Sequence, residues 1–153
     1  MLNLNELAEE DEYLSVTAQR MSYDHTRLAY LENRDGTDRY TIHIKDMETG
    51  ELLPDRIPDV FLYGSMEWSR CGDYIFYISV DENQRPSQLW RHRLGSEKEN
   101  DELVFVEKDT TFTLFVTKSQ SGKFIFVHSS SKMTSEIRLL DADSPLSPLK
   151  LVD

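Results

Sequence analysis

We expect a chain that has no internal disulfide, does not span a membrane and is not secreted. It has a single cysteine, Cys71, in 153 residues, so an internal disulfide is excluded and a reducing compartment is favoured. No stretch approaches the roughly 18 uninterrupted apolar residues of a membrane-spanning helix. The first residues also lack the basic and apolar regions of a signal peptide. We therefore expect a cytoplasmic protein with no membrane partner.

Basic residues are scarce. The chain has 17 Lys and Arg against 28 Asp and Glu, a formal net charge of −11. Electrostatic repulsion opposes binding to nucleic acid or to an anionic membrane, so we expect no nucleic-acid partner and favour a cationic one. The hydrophobic content of 39% is nevertheless enough for a core at this length.

Motifs for catalysis and for cofactors are missing as well. The chain has no phosphate-binding loop and no dinucleotide-binding fingerprint. Residues 64–68, Gly-Ser-Met-Glu-Trp, lack the second glycine of a nucleophile elbow. Residues 33–38 are too short and wrongly spaced for a calcium loop. We predict no catalytic residue, no cofactor and no metal.

The side chains with reactive potential have simpler interpretations. Cys71 follows Arg70, which favours a thiolate, but both residues lie in a predicted turn. Ser131 precedes Lys132 within residues 129–132, as in a serine–lysine pair, but this segment is a predicted hairpin loop. Four histidines lack the close spacing of zinc ligands and are interpreted as strand or turn residues: His25, His43, His92 and His128.

What the chain does have is one pattern repeated three times, with a period of about fifty residues. A serine-containing turn leading into an aromatic or aliphatic run begins at Ser22, Ser69 and Ser119, which are 47 and 50 residues apart. Alternating segments give matching spacings of 48 and 47 residues and are centred on Ile42, Trp90 and Ile137.

Each repeat contains four short runs of strand-forming residues bounded by turn formers. Residues 74–78 are continuously apolar, which predicts a strand buried on both faces. Residues 2–10 are the one segment that predicts a short helix. The predicted strands are 18–21, 27–31, 40–46, 51–53, 63–68, 74–80, 88–94, 102–106, 112–117, 124–128, 135–140 and 149–152.

Four short strands in each repeat indicate an all-β fold of about three four-stranded antiparallel blades of a β-propeller. We predict one partial propeller domain at 1–153, with a lead-in segment at 1–13 and blades at 14–58, 59–108 and 109–153. Because a propeller needs at least about four blades to close, the end blades leave apolar faces uncovered. We expect self-association through open faces that carry residues such as Phe76, Trp90 and Phe126.

Several segments also carry a resemblance to a known family: 2–9 with 12–13, 39–55, 89–95, 129–132 and 134–143. They resemble the propeller of the oligopeptidase B group, within the prolyl oligopeptidase family of serine peptidases. One departure from the family pattern is the turn Tyr23-Asp24-His25-Thr26, where an Asp-Gly turn is usual, and another is Glu10 in place of glycine. These substitutions raise the cost of a positive φ by roughly 1 kcal/mol.

The resemblance implies that the chain is about three of the seven blades that cap an α/β-hydrolase domain with a Ser, Asp, His triad. The group cuts short peptides after Arg or Lys, and its propeller restricts access to the buried site. The implied partners are the α/β-hydrolase domain of the full-length protein and short basic peptides. No triad residue falls in the matched region, so this chain alone is expected to be inactive. The alternative is a free-standing, self-assembling propeller scaffold that binds proteins.

The first strand of each blade is expected to line the central channel, which makes Gln19, Glu67 and Thr117, or their alternating neighbours, candidates to face it. Two interpretations of Glu67 stay open. Its charge attracts basic peptides to the channel, or it pairs with a basic residue of a neighbouring blade.

Overall fold

The computed structural model describes residues 15–33, 39–61, 66–80 and 85–152, which form antiparallel strands. The predicted helix at 2–10, the lead-in segment 1–13, residues 34–38 of the loop and residues 64–65 of the Gly-Ser segment lie outside the described residues. The strands are β1 (Ser15–Met21), β2 (Arg27–Asn33), β3 (Arg39–Asp46), β4 (Leu52–Phe61), β5 (Met66–Trp68), β6 (Tyr74–Val80), β7 (Pro86–Arg93), β8 (Glu102–Val106), β9 (Thr113–Lys118), β10 (Phe124–Ser130), β11 (Ser135–Asp141) and β12 (Lys150–Val152).

The strands form an eight-stranded sheet, β1–β8, and a four-stranded sheet, β9–β12. Because a single bridge joins the two halves of the larger sheet, we describe three up-and-down units and call them the first (β1–β4), second (β5–β8) and third (β9–β12) sheets. The first and second sheets also touch edge to edge through one bridge, between Val60 and Ser79. The described part of β5 pairs with residues 75–77 of β6, and Ser79 lies two positions beyond them on the same strand. The prediction of an all-β fold of four-stranded antiparallel units is confirmed. The predicted boundary between 58 and 59 falls inside β4, and the division into 14–58, 59–108 and 109–153 stays a prediction.

The strands match the predicted runs closely, with one large difference. The fourth run was predicted at 51–53, whereas β4 extends over Leu52–Phe61. Two prolines, Pro54 and Pro58, interrupt the apolar pattern of this segment in the sequence. In the structure, two register shifts in the pairing of β3 with β4 accommodate the longer strand.

Burial on both faces of β6 explains how the sheets stack. Ile75 and Tyr77 are buried in a core with residues of the first sheet, such as Leu31. Phe76 and Ile78 are buried in a second core with residues of the third sheet. Because successive side chains of a strand point to opposite faces, a continuously apolar strand supplies both interfaces. The prediction for residues 74–78 is confirmed.

The same stacking corrects one expectation about open faces. Phe76 was placed on an uncovered face, and this is wrong: it is 0% exposed, because the third sheet covers it. Trp90 is partly buried at the edge of the core between the first and second sheets, and its Nε1 donates a hydrogen bond to Ser79 Oγ over 2.8 Å. Phe126 is partly buried and alternates with the core residues Ile125 and Val127, so it lies on the far side of the third sheet.

The turn that opens each repeat has the same geometry in all three sheets. The serine N–H bonds the carbonyl of the residue five positions later, and the serine hydroxyl accepts from that residue's N–H over 3.1 Å. The fourth residue of each turn has a positive φ: His25 at 62°, Gly72 at 78° and Gly122 at 74°. The sequence departure at His25 is therefore tolerated at a left-handed position that glycine occupies in the other two repeats.

Gly122 differs from Gly72 in what lies beside it. The hydroxyl of Tyr23 donates a hydrogen bond to Gly122 O over 2.8 Å. A Cβ added at Gly122 would lie 3.0 Å from Tyr23 Cε2, whereas at Gly72 the nearest atom, Arg27 Nη1, would be 3.8 Å away. Gly122 thus allows the turn of the first repeat to contact the turn of the third.

We expect Gly72→Ala and Gly122→Ala to reduce the free energy of unfolding by different amounts. The positive φ costs about 1 kcal/mol at either position. Gly122→Ala adds the displacement of Tyr23, so its loss is expected to be the larger, and urea unfolding at constant pH measures both. Equal losses in the two variants would contradict a close packing of Tyr23 on Gly122.

Candidate functional site

An ion pair joins the first strands of the first and second sheets. Arg20 Nε on β1 lies 3.3 Å from Glu67 Oε1 on β5, and the indole Nε1 of Trp68 donates to Arg20 O over 2.9 Å. The Glu67 side chain is only 7% exposed, against 39% for Arg20. Burial raises the pKa of Glu67, and the positive charges of Arg20 and Lys118 oppose that rise. The pair therefore holds two sheets together.

A second contact joins the first sheet to the third. Lys118 Nζ, at the end of β9, lies 4.8 Å from the centroid of the Tyr23 ring, a distance suited to a cation–π interaction. The same tyrosine bonds Gly122 O, as described above. Burial, with the charge of Glu67, raises the pKa of Tyr23, so its hydroxyl stays protonated and available as a donor. Tyr23 thus bridges two sheets that are not consecutive in the chain.

The structure places the three candidate channel residues in different surroundings. Gln19 on β1 is exposed. Glu67 is buried and paired with Arg20 of the neighbouring sheet, which agrees with the second interpretation given for it. Thr117 is partly buried, and its Oγ1 lies 2.9 Å from His128 Nε2. Their alternating neighbours Arg20 and Lys118 bring positive charge to the same strands.

A buried histidine forms the most extensive polar network that the described residues contain between two sheets. His92 on β7 is 0% exposed. Its Nδ1 lies 2.6 Å from Asp101 Oδ1, and its Nε2 lies 2.7 Å from Asp55 Oδ2. Tyr77 donates its hydroxyl to Asp101 Oδ2 over 2.5 Å, and the Gly95 N–H donates to Asp55 Oδ2 over 2.8 Å. The network connects β4 of the first sheet with β6 and β7 of the second.

The charge state of His92 follows from its partners. Ionised carboxylates only accept hydrogen bonds, so both ring nitrogens must donate, and the ring is an imidazolium. Burial by itself would lower the pKa of His92, but the hydrogen bonds and charges of Asp101 and Asp55 outweigh it and raise the pKa. Burial, with the hydrogen bond to Asp101, likewise raises the pKa of Tyr77 far above its usual range.

An irregularity in β4 positions Asp55 for this network. The pairing of β3 with β4 shifts register between His43 and Lys45, opposite the segment that contains Asp55. Such bulges redirect side chains, and here the carboxylate is buried although Pro54 and Arg56 on either side are exposed. A cavity of about 510 Å³ opens beside the network and is lined by residues that include Asp55 and Gly95.

With this geometry established, comparison with known proteins gives the family. Residues 1–153 match the family described as the prolyl oligopeptidase N-terminal beta-propeller domain. The chain belongs to this propeller family. Its three sheets are blades, and the predicted resemblance is confirmed.

Two curated relatives show how much of a longer protein the chain represents. It is 77% identical over 153 residues to Protease 2 from Moraxella lacunata, covering 100% of this chain and 22% of that protein. It is 34% identical over 146 residues to Dipeptidyl aminopeptidase BI from Pseudoxanthomonas mexicana, covering 95% of this chain and 20% of that protein. The propeller segment thus spans about a fifth of the length of these relatives.

Solved structures of two related proteins have the same fold. Oligopeptidase B from Leishmania major superposes with a TM-score of 0.90 at 24% identity, over 99% of this chain and 21% of that one. The closed form of oligopeptidase B from Trypanosoma brucei, with antipain covalently bound, superposes with a TM-score of 0.85 at 26% identity. The match covers 99% of this chain and 21% of that one. The arrangement of the three blades is therefore that of known peptidase propellers.

The serine–lysine pair considered from the sequence lies in the turn between β10 and β11. Ser131 Oγ accepts hydrogen bonds from the N–H groups of Met133 and Thr134 and donates to Thr134 O, all within 3.2 Å. The hydroxyl therefore stabilises the turn, as serine commonly does. Lys132 is exposed. The prediction that the chain carries no catalytic residue is not tested by this arrangement and stays a prediction.

Cys71 and Arg70 also lie in a turn of the propeller. Cys71 is exposed, with Sγ 3.3 Å from Ser69 Oγ. Arg70 Nε is directed to Asp143 Oδ1, 3.6 Å away in the third blade. The cation next to the thiol is thus engaged by a carboxylate.

The other histidines lie in separate blades. His25 is in the first turn, at a positive φ. His43 stacks on Tyr30 with ring centroids 5.6 Å apart, and His128 stacks on Phe115 at 4.3 Å. The described part of the chain contains no group of three or more His, Cys, Asp or Glu residues placed to hold a metal ion. None of its helices is long and apolar enough to cross a membrane.

Sequence reasoning missed the role of His92, which it interpreted as an ordinary strand residue. The partners Asp55 and Asp101 lie 37 and 9 positions away, so no local motif joins them. The one signal in the sequence was a histidine inside a predicted strand, 88–94. Which carboxylates approach it depends on the stacking of two blades.

We expect the charged network to make stability depend on pH. The pKa of His92 is raised by folding, so its contribution is fully present below the ordinary value of 6.5 and is lost as pH rises through the raised pKa. His92→Gln should reduce the free energy of unfolding by about 3 kcal/mol at neutral pH and abolish this dependence, because it leaves buried carboxylates without a cation. Urea unfolding across a pH series measures both effects.

His128→Gln is the matched control, because folding shifts the pKa of His128 in the opposite direction. Burial lowers the pKa of His128, so its neutral form is favoured and stability is lost as pH falls below 6.5. If the free energy of unfolding depends on pH in His92→Gln as it does in the wild type, the imidazolium of His92 does not stabilise the blades.

Proposed function

We propose that this propeller segment belongs to an oligopeptidase B-like serine peptidase and that it restricts substrate access without taking part in catalysis. The observation that carries the proposal is the 77% identity to Protease 2 over the whole chain. The segment spans about a fifth of that relative, and the remaining length accommodates an α/β-hydrolase domain in the same polypeptide. On this proposal the full-length protein hydrolyses short peptides after Arg or Lys, in the cytoplasm.

The contacts between blades support a restrictive role. A propeller that excludes long chains must resist separation of its blades, and contacts across blades provide that resistance. Here the Asp55–His92–Asp101 network and the Arg20–Glu67 pair join the first blade to the second. Tyr23 joins the first blade to the third.

Electrostatic attraction of basic peptides by Glu67 has less support. Glu67 is buried and its charge is opposed by Arg20 and Lys118, so little negative potential reaches solvent from this residue. We therefore propose that Glu67 holds the blades together. We propose that the propeller selects substrates by their size and not by their charge.

A second candidate function is the self-assembling scaffold, which one observation favours. The far side of the third sheet carries Phe115, Phe126 and Leu139, and Phe124, the first residue of β10, is 37% exposed. A face of this kind requires cover. We propose that a following blade covers it in the full-length peptidase and that a second copy covers it in the isolated chain.

We expect the full-length peptidase to cleave a short Arg-containing peptide faster than a long unfolded polypeptide with the same Arg. Tyr23→Ala removes the contact between the first and third blades, so it should raise kcat/KM on the long substrate and leave the short one unchanged. Met133→Ala, at a side chain that is 93% exposed, is the control. Equal wild-type rates on the two substrates would rule out restriction by size.

A further inference from the structure

The two blade interfaces differ at one equivalent position. His92 on β7 pairs with Ile75 on β6, and Leu140 on β11 pairs with Ile125 on β10. The two isoleucines are 50 positions apart, which is the spacing of the turns before them. Ile75 belongs to the core shared with the first blade, and Ile125 to the core shared with the second. His92 and Leu140 therefore occupy the same place in successive blades, each facing the blade before it.

The chemistry at this place is opposite in the two interfaces. Leu140 is 2% exposed and packs in an apolar core. His92 is 0% exposed and lies between the carboxylates of Asp55 and Asp101. Replacing buried ion pairs by apolar residues of similar volume is often neutral or stabilising, so stacking two blades does not require charge. What the charged network adds is dependence on a proton.

Several charged and titratable groups surround the imidazole. Asp55 approaches from the first blade, and Asp101, which also accepts from the Tyr77 hydroxyl, approaches from the second. Lys98 Nζ lies 5.8 Å from the centroid of the Tyr77 ring. The cavity beside the network is lined by three further charged residues: Arg56, Glu97 and Glu99. With the ring protonated, His92 and its two carboxylates sum to one negative charge; a neutral ring leaves two.

Loss of the proton breaks one contact of the network. A neutral imidazole has a single N–H, so one of the two carboxylates loses its donor and faces a ring lone pair instead. Asp101 belongs to the same blade as His92 and keeps the hydrogen bond from Tyr77. Asp55 comes from the other blade, so separation of the blades relieves the repulsion at Asp55.

The segment that carries Asp55 is weakly held elsewhere. In the pairing of β3 with β4, Leu52 lies opposite Lys45 and Arg56 opposite His43, and residues 53–55 have no partner in the ladder. Asp55 is the one buried residue among 52–56, and residue 53 is partly buried. The bridge from β4 to the second blade lies farther along the strand, at Val60. Residues 52–56 are thus held against the second blade through Asp55.

We propose that the Asp55–His92–Asp101 network is a proton-operated latch, which holds residues 52–56 against the second blade and releases them when the network loses one proton. The latch opens as pH rises. Release moves one wall of the cavity of about 510 Å³, which is lined by residues of both blades. The interface with Leu140 in place of His92 stays closed. The latch does not depend on the proposed function.

The direction of the pH effect follows from the surroundings of the ring. Burial by itself would lower the pKa of His92, but the hydrogen bonds and charges of Asp101 and Asp55 raise it. The closed latch therefore keeps its proton at pH values where a released ring, with its ordinary pKa of 6.5, gives it up. Closure is fully favoured below 6.5 and is lost as pH rises through the raised pKa.

Hydrogen exchange of the full-length protein, followed by mass spectrometry of its peptides between about pH 6 and pH 10, tests the latch. The Gly95 N–H donates to Asp55 Oδ2, so its exchange reports on the contact directly. After correction for the intrinsic effect of pH on exchange, protection at Gly95 should fall up to about tenfold per pH unit above 6.5 and then level off. Protection around Leu140 should stay constant. Constant protection at Gly95, or an equal fall around Leu140, would overturn the proposal.

Variants assign the effect to the network. His92→Gln should abolish the fall at Gly95, and His128→Gln, in the third blade, should leave it unchanged. Asp55→Asn keeps an oxygen that accepts from His92 and from Gly95 but removes the charge, so the fall should be smaller. If His92→Gln does not fold, as judged by circular dichroism, Asp55→Asn decides. A fall in Asp55→Asn as large as that in the wild type would refute the latch.

Discussion

The stacking of the blades depends on one requirement, that a sheet apolar on both faces must be covered on both. The middle blade meets it through β6, where Ile75 and Tyr77 face the first blade and Phe76 and Ile78 face the third. Three blades therefore share two cores. The far side of the third sheet, with Phe115 and Phe126, is the same kind of surface with no described blade against it. Among the described residues, the requirement is met on both sides of the middle blade and on one side of the third.

Polar contacts add register and rigidity to this hydrophobic stacking. Apolar packing between two sheets is non-directional, whereas the bonds from His92 to Asp55 and Asp101 fix β4 against β7 at one position. Tyr23 does the same for the turns of the first and third blades. Rigidity of this kind suits a propeller whose proposed task is to limit access by size, because restriction fails once blades separate.

Much of the fold was predictable because the information is local and repeated. Turn residues such as Ser22 and Ser69, followed by runs of β-forming residues, fix where strands begin, and three copies reinforce the pattern. β4 was predicted too short because its prolines and charges hide a strand that only its pairing with β3 reveals. The exposure assigned to Phe76 failed because burial depends on the neighbouring blade. The His92 network was out of reach because its partners, Asp55 and Asp101, come from other segments of the chain.

The measurement that tests the account most directly is a peptidase assay of the purified 153-residue chain on a short Arg-containing peptide with a fluorescent leaving group, run beside light scattering. The account predicts no turnover, because it assigns catalysis to a domain other than this propeller. It also predicts a particle larger than a monomer, because a second copy would cover the open face of the third sheet. Turnover that disappears in Ser131→Ala would contradict the non-catalytic role. A monodisperse monomer at high concentration would contradict the uncovered face.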